Sequence, residues 1–272
     1  MYCYFNEKIQ PVEDTSLKIN DLGLLRGYGL FDYFRTYNGR PFQWDLYWER
    51  FNNSARILRL TNPIEKDKAY SVVMDLLKKS GLDDCAFRFV LTGGYSGNSI
   101  SSPSPNLLII SEVIHGTNPE EYQHGIKVIG YEFVRDLPEL KSTDYKHLLM
   151  LQSDIKAAGA TDVLFYKDGE ISELSRSNVF IFEGDKLITP NRNILRGITR
   201  RTVIELAKPH FEVIERPVSL DEFLNAEEAF TTSTTKRVLP ITQLDDKLIG
   251  GGKVGEKSKF LLGLINEMVE KW

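Results

Sequence analysis

The sequence predicts an α+β protein of two units, and three observations carry that prediction. Runs of β-branched and aromatic residues bounded by turn dipeptides recur along the chain, most densely from Asp162 to Thr189. Apolar stripes at helical spacing alternate with them, as in Phe51, Ala55 and Leu58. A polar, turn-rich segment, HGTNPEEYQHG at 115–125, interrupts both patterns and reads as a linker. The expected units are residues 1–117 and 118–272.

Composition narrows the options further. At 272 residues the chain can bury a large core. Its 42% hydrophobic and 26% charged residues are ordinary globular values. A net charge of −4 offers no basic footprint for nucleic acid. Cys3 and Cys85 make neither a disulfide framework nor a CxxC, so a reducing compartment is expected. No basic-then-apolar leader opens MYCYFNEKIQ, and no apolar run approaches the ~18 residues of a membrane span. The expectation is a cytoplasmic protein with no membrane or nucleic-acid partner.

Taken in order, Tyr2 to Phe5 and Ile9 to Val12 read as a hairpin turning at Asn6. Gly27-Tyr28-Gly29 leads into the strand LFDYFRTY, closed by Asn38-Gly39, a strong hairpin signal. Asp45 is expected to cap a helix running to Leu60. A second helix, 65–79, presents Val72, Val73, Leu76 and Leu77 on one face and stops at Gly81. AFRFVLT and NLLIISEVI are strands around a Gly/Ser/Pro-rich loop at 93–105. After the linker, IKVIGYEFV reads as a strand and 144–158 as one helix with Gly159 as its C-terminal cap. VLFY and NVFIF are strands set off by the Asp168-Gly169 and Gly184-Asp185 turns. A helix at 200–208, the strand FEVIERPV, a short helix at 220–225, the strand EEAFTTST and the amphipathic helix KFLLGLINEMVEKW complete the chain.

Several residues in this frame have chemical meaning. Lys141, at a strand end before a helix, is placed as a lysine that forms a Schiff base would be, although most lysines are simply solvated. Lys146 is its rival, and spacing alone leaves the choice open. Glu173 opens the polar run ELSRSN; such a carboxylate can hold a ring N–H⁺, or be one more surface glutamate. Gly197-Ile198-Thr199 opens a helix whose free N–H groups suit an anion, a pattern that capping alone also produces. Arg50 can add a guanidinium to a phosphate or form an ordinary ion pair. The hydroxyl run Thr231 to Thr235 can bind phosphate or carboxylate, or serve as a Thr-rich strand. A carboxylate and an anion-binding helix start on neighbouring elements suit a ligand with a cationic end and a phosphate end, as pyridoxal 5'-phosphate has. The glycine-rich GGYSG and GGGKVG fit no nucleotide loop, the four histidines form no metal motif, and no G-x-S-x-G elbow is present.

Together and in order, these residues resemble the fold-type IV pyridoxal-phosphate enzymes: branched-chain aminotransferases, D-amino-acid aminotransferases and aminodeoxychorismate lyases. LKS at 140–142 matches the catalytic lysine, which selects Lys141 over Lys146. ISELSRSNVF matches the family's E-x-x-x-S-N-[VL]-F signature, implying cofactor contacts from Glu173, Ser177 and Asn178. RGITR matches the phosphate loop, implying Gly197, Ile198 and Thr199, and WERFNNSARIL supplies Arg50. TTSTTKRVLPI implies Ser233 and Thr234 toward the cofactor and Thr235 toward the substrate carboxylate. The resemblance further implies a small N-terminal α+β domain, a larger C-terminal pseudo-barrel domain, the cofactor between the two, and a homodimer.

Departures from the family bear on substrate. D-amino-acid aminotransferases carry tyrosine where this chain has Phe31, and an R-x-H pair where it has Asn98 and Ile100. Branched-chain enzymes carry a Y-I-R strand resembling Ala86-Phe87-Arg88, so Arg88 is a candidate for a substrate carboxylate, with Arg35 beside it. The expected activity is amino transfer with a branched-chain-like preference; release of pyruvate from 4-amino-4-deoxychorismate is the alternative.

Overall fold

The computed structural model describes every residue except Asn6 and Pro103, so the turn expected at Asn6 lies outside the described residues. The chain forms two compact units. One is Met1–His115 with Leu140–Asp144 and Trp272; the other is Gly116–Glu139 with Tyr145–Lys271.

The first unit holds β1 (Tyr2–Phe5), β2 (Lys8–Pro11), α1 (Leu22–Arg26), β3 (Gly29–Tyr37), β4 (Arg40–Pro41), α2 (Trp44–Ile57), α3 (Lys66–Ser80), β5 (Ala86–Thr92) and β6 (Asn106–Glu112). Among the described residues its strands make one antiparallel sheet in the order β2-β1-β6-β5-β3-β4. Alternation along β3 divides its side chains. Leu30, Asp32, Phe34 and Thr36 are buried on one face, while Phe31, Tyr33 and Arg35 share the other. Phe34 anchors the buried face, its ring centroid 5.5 Å from each of Trp44, Tyr47, Phe87 and Phe89. Asn38 and Gly39 both take positive φ, 52° and 69°, as a two-residue hairpin turn requires. Asp45 does not cap α2: Gln43 occupies the cap with φ 50°, and Asp45 lies in the first turn, where its charge still favours the helix N-terminus.

The second unit holds α4 (Pro119–His124), β7 (Ile126–Glu132), α5 (Lys146–Met150), α6 (Gln152–Ala157), β8 (Asp162–Lys167), β9 (Glu170–Leu174), β10 (Asn178–Glu183), β11 (Lys186–Thr189), α7 (Ile198–Ala207), β12 (Glu212–Glu215), β13 (Val218–Ser219), α8 (Leu220–Leu224), β14 (Glu228–Ser233), β15 (Arg237–Leu244), β16 (Lys247–Leu248) and α9 (Glu256–Glu270). Its strands run β12-β11-β10-β14-β15-β7-β8-β9-β13, with β16 on β15. The run NVFIF lacks polar alternation because both faces of β10 are covered. Val179 and Ile181 join a core with Leu164, Leu174 and Leu239, while Phe180 and Phe182 join another with Val203, Leu261 and Ile265 from α7 and α9.

Three further expectations are corrected. The segment read as a linker contains α4, capped by the Asn118 side chain with Pro119 at its first position. The helix expected at 144–158 is two short helices interrupted at Leu151. FEVIERPV forms two short strands in separate pairings, β12 on β11 and β13 on β9.

At α8, Ser219 and Glu222 form a reciprocal capping box. The Arg216 side chain and then the Ser219 N–H hold the Glu222 carboxyl down at about 2. Ser219→Ala should lower unfolding stability by about 1 kcal/mol, read from urea denaturation.

Candidate active site

In the first unit, residues 140–143 lie alongside the start of β3. The Phe31 N–H donates to the Lys141 carbonyl at 2.9 Å, and the Thr143 N–H donates to the Gly29 carbonyl at 3.1 Å. The half-buried Lys141 side chain carries its Nζ over the Phe31 ring, 4.7 Å from the centroid. Lys146, the rival, is exposed at the start of α5.

The same face carries the candidate substrate residues. Arg88 stands opposite Tyr33, with its Cζ 5.5 Å from the Phe31 ring and 5.1 Å from the Tyr33 ring. Its guanidinium binds Glu112 at both carboxylate oxygens, at 2.5 and 3.0 Å. Arg35 stacks on Tyr37 at 4.2 Å. Asn98 organises a local turn by accepting from the Ile100 and Ser101 N–H groups, and Ile100 is exposed. On the other face of β3, Arg50 is a partner of buried Asp32, through Nε at 2.9 Å and an Nη at 2.5 Å. It is therefore a neutralised guanidinium, to which a phosphate would be an additional acceptor.

In the second unit, Glu173 is buried on β9 and pairs with Arg135, whose Nη2 lies 2.7 Å from Oε1 and whose Nε donates at 2.8 Å. The other oxygen accepts from the Leu195 N–H at 3.0 Å. Asn178 lies beside it, its amide donating to the Leu195 carbonyl at 2.8 Å. Gly197 precedes α7, and a Cβ there would come within 2.2 Å of the Asn178 Oδ1. Ile198 and Thr199 form the first turn of α7, which no side chain caps. Thr232 faces Asn178 across the β10–β14 pair. Two buried hydroxyls in these strands and turns, Ser177 Oγ and Thr232 Oγ1, have no hydrogen-bond partner among the described residues.

The turn from β14 to β15 carries Ser233, Thr234 and Thr235, all half-buried. Ser233 Oγ accepts from the Lys236 N–H at 3.2 Å and lies 3.5 Å from Thr235 Oγ1. Lys236 turns inward, its Nζ donating to fully buried Asp162 at 2.9 Å, and the same carboxylate accepts from Ser175 Oγ at 2.5 Å. Burial alone would raise the Asp162 carboxyl; the Lys236 ammonium and the Ser175 hydroxyl outweigh it and hold the group below its ordinary value. Asp162 thus ties the Ser175–Ser177 turn to the Ser233–Lys236 turn.

Sequence reasoning did not single out Arg135, Asp162, Lys236 or Glu112. Each is an ordinary charged residue in sequence whose partner lies far along the chain. Among the described residues there is no metal-binding cluster of His, Cys, Asp and Glu, and no helix is long and apolar enough to cross a membrane.

The class IV amino-transferase family model matches residues 29–244. A Methanocaldococcus jannaschii protein named "Putative branched-chain-amino-acid aminotransferase" is 30% identical, covering 100% of this chain and 98% of its own. A D-alanine aminotransferase of Bacillus licheniformis is 27% identical, covering 95% of this chain and 94% of its own. Among solved structures, an Escherichia coli branched-chain amino acid aminotransferase matches with a TM-score of 0.92 at 24% identity, over 98% of this chain and 94% of its own. The chain belongs to the class IV aminotransferase family, and its α+β fold is that of the two-domain fold-type IV enzymes.

Proposed function

We propose that this protein is a pyridoxal-phosphate-dependent aminotransferase that exchanges an amino group between a branched-chain-like amino acid and a 2-oxo acid. The observation that carries the reading is the buried Glu173 carboxylate, fixed by Arg135 and the Leu195 N–H. A fixed, buried anion suits the ring nitrogen of a pyridine cofactor, whose proton it retains.

The residues of the second unit fit that cofactor. Ser177 and Thr232 hold buried hydroxyls still to be satisfied, which points to a polar ligand. The uncapped start of α7 leaves its first N–H groups for a phosphate, and Gly197 admits the approach because a side chain there would strike Asn178. When bound, pyridoxal phosphate supplies an electron sink for bond breaking at the substrate α-carbon.

The protein's own groups divide the remaining work. The Lys141 amine takes a proton from the substrate α-carbon as general base and, as general acid, delivers it to the cofactor's aldehyde carbon rather than back to the α-carbon. Glu173 keeps the ring nitrogen protonated. Ile198 and Thr199 hold the phosphate through backbone N–H groups, with Gly197, Ser233, Thr234 and Arg50 as further contacts. Thr235 holds the substrate carboxylate. Phe31 and Tyr33 offer an aromatic wall beside Lys141, suited to a branched aliphatic side chain. The branched-chain names of relatives aligned over the whole chain support the same preference.

An absorption spectrum with added L-leucine tests the reading. The purified protein should show a visible cofactor band that moves to shorter wavelength with L-leucine and returns with a 2-oxo acid. A band that ignores leucine, with pyruvate released from added 4-amino-4-deoxychorismate in the absence of any oxo acid, would make the protein a lyase of the same family instead.

A further inference from the structure

The Arg88–Glu112 pair stands on the wall that the proposed reaction uses, and it bears on substrate choice. Residues directly opposite one another in an antiparallel sheet share a face. Tyr33, Arg88 and Ile110 make one row, and Arg35, Ala86 and Glu112 the next. Phe31 links this patch to the lysine: its ring lies 4.7 Å from Lys141 Nζ and 5.5 Å from Arg88 Cζ. Glu112 reaches diagonally across the rows and grips Arg88 through both oxygens, at 2.5 and 3.0 Å. A planar guanidinium held by two parallel N–H···O bonds has its orientation fixed and its charge neutralised. The influence of Glu112 extends to Tyr33, whose hydroxyl is held above its ordinary value first by burial and then by the Glu112 carboxylate.

We infer that Glu112 is a specificity-determining residue that occupies Arg88 and turns this subsite away from substrates with a second carboxylate. The inference rests on the aminotransferase reading and deepens it. An arginine beside the reacting lysine would otherwise favour glutamate and 2-oxoglutarate over leucine and its oxo acid. With Glu112 in place, an incoming side-chain carboxylate must displace one anion and lie beside another. The pair is partly exposed, so water screens this competition without removing it. The amino acids and oxo acids favoured are therefore monocarboxylic, with apolar side chains on both sides of the exchange.

Glu112→Gln keeps the shape and removes the charge. In the holoenzyme, the ratio of kcat/KM for 2-oxoglutarate to that for 4-methyl-2-oxopentanoate should rise about tenfold, the effect of relieving one nearby like charge in a screened setting. Calorimetric titration with glutarate, a non-reacting dicarboxylate, should show a comparable gain in affinity. The double variant Glu112→Gln/Arg88→Gln should lose both gains, since no guanidinium remains to be released. Glutarate affinity unchanged in Glu112→Gln, or a gain that survives removal of Arg88, would overturn the assignment. Failure of the aminotransferase reading is a separate result: wild-type protein that transaminates no oxo acid, whatever glutarate does.

Discussion

Lys141→Ala is expected to lose at least about 10³-fold in transamination while the protein stays folded and retains pyridoxal phosphate. General acid–base groups contribute about 10²–10⁴-fold, and this lysine would serve both half-reactions and also bond to the cofactor. The backbone argues that the loss will be confined to chemistry. Phe31 and Thr143 bond the 141–143 main chain to β3 through amide and carbonyl groups that the substitution leaves in place. The melting temperature should therefore move by only a few degrees, as for a substitution that leaves backbone bonds intact. Borohydride reduction and peptide mapping should find the cofactor fixed to Lys141 in the wild type and unfixed in the variant. Lys146→Ala, at an exposed helix start, should retain activity within a few fold. If Lys146→Ala loses turnover and Lys141→Ala does not, the register of the LKS motif has been misread.

The parts of this site that are legible in sequence are those fixed by neighbours along the chain. The Asn38-Gly39 turn and the Asp168-Gly169 turn need positive φ at adjacent positions, and their residue types announce it. The Glu173-to-Asn178 run and the glycine before α7 are similarly local. Where sequence reasoning fails, the deciding interaction is usually distant. Arg135 finds Glu173 across 38 residues, Arg88 finds Glu112 across 24, and Lys236 finds Asp162 across 74, separations set by sheet register rather than by any short pattern. Arg50 adds a partner of the same kind: its place on a helix suggests a phosphate ligand, and the Asp32 carboxylate on β3 that it also meets lies 18 residues away on another element. Helix α4 is a plainer miss: Asn118-Pro119 is a start signal, but the polar residues 120–125 lack the apolar stripe that would have extended it into a helix prediction.

The buried Asp162–Lys236 pair should yield the largest stability effect. Asp162 is fully buried, and the Lys236 side chain is only 11% exposed. Removing one member strands the other in a dry site, which typically costs about 3–5 kcal/mol, whereas replacing both by apolar groups of similar volume is often neutral. Lys236→Met alone should therefore destabilise strongly, and Asp162→Leu/Lys236→Met should recover most of the loss in urea denaturation. Recovery of stability need not restore function. The pair positions the Ser175–Ser177 and Ser233–Lys236 turns, so the double variant should bind pyridoxal phosphate more weakly than wild type despite its stability. The pH dependence has a definite sign. The Asp162 carboxyl is held below its ordinary value, so its contribution is fully present above the unfolded value near ~3.9 and fades as pH falls through the lower folded one. The stability gap separating wild type from the double variant should accordingly be flat from neutrality to about pH 5 and change only below about pH 4. A gap that changes mainly around pH 6–8 would assign the effect to another group, and a double variant no more stable than Lys236→Met would show that the pair is not an isolated electrostatic unit.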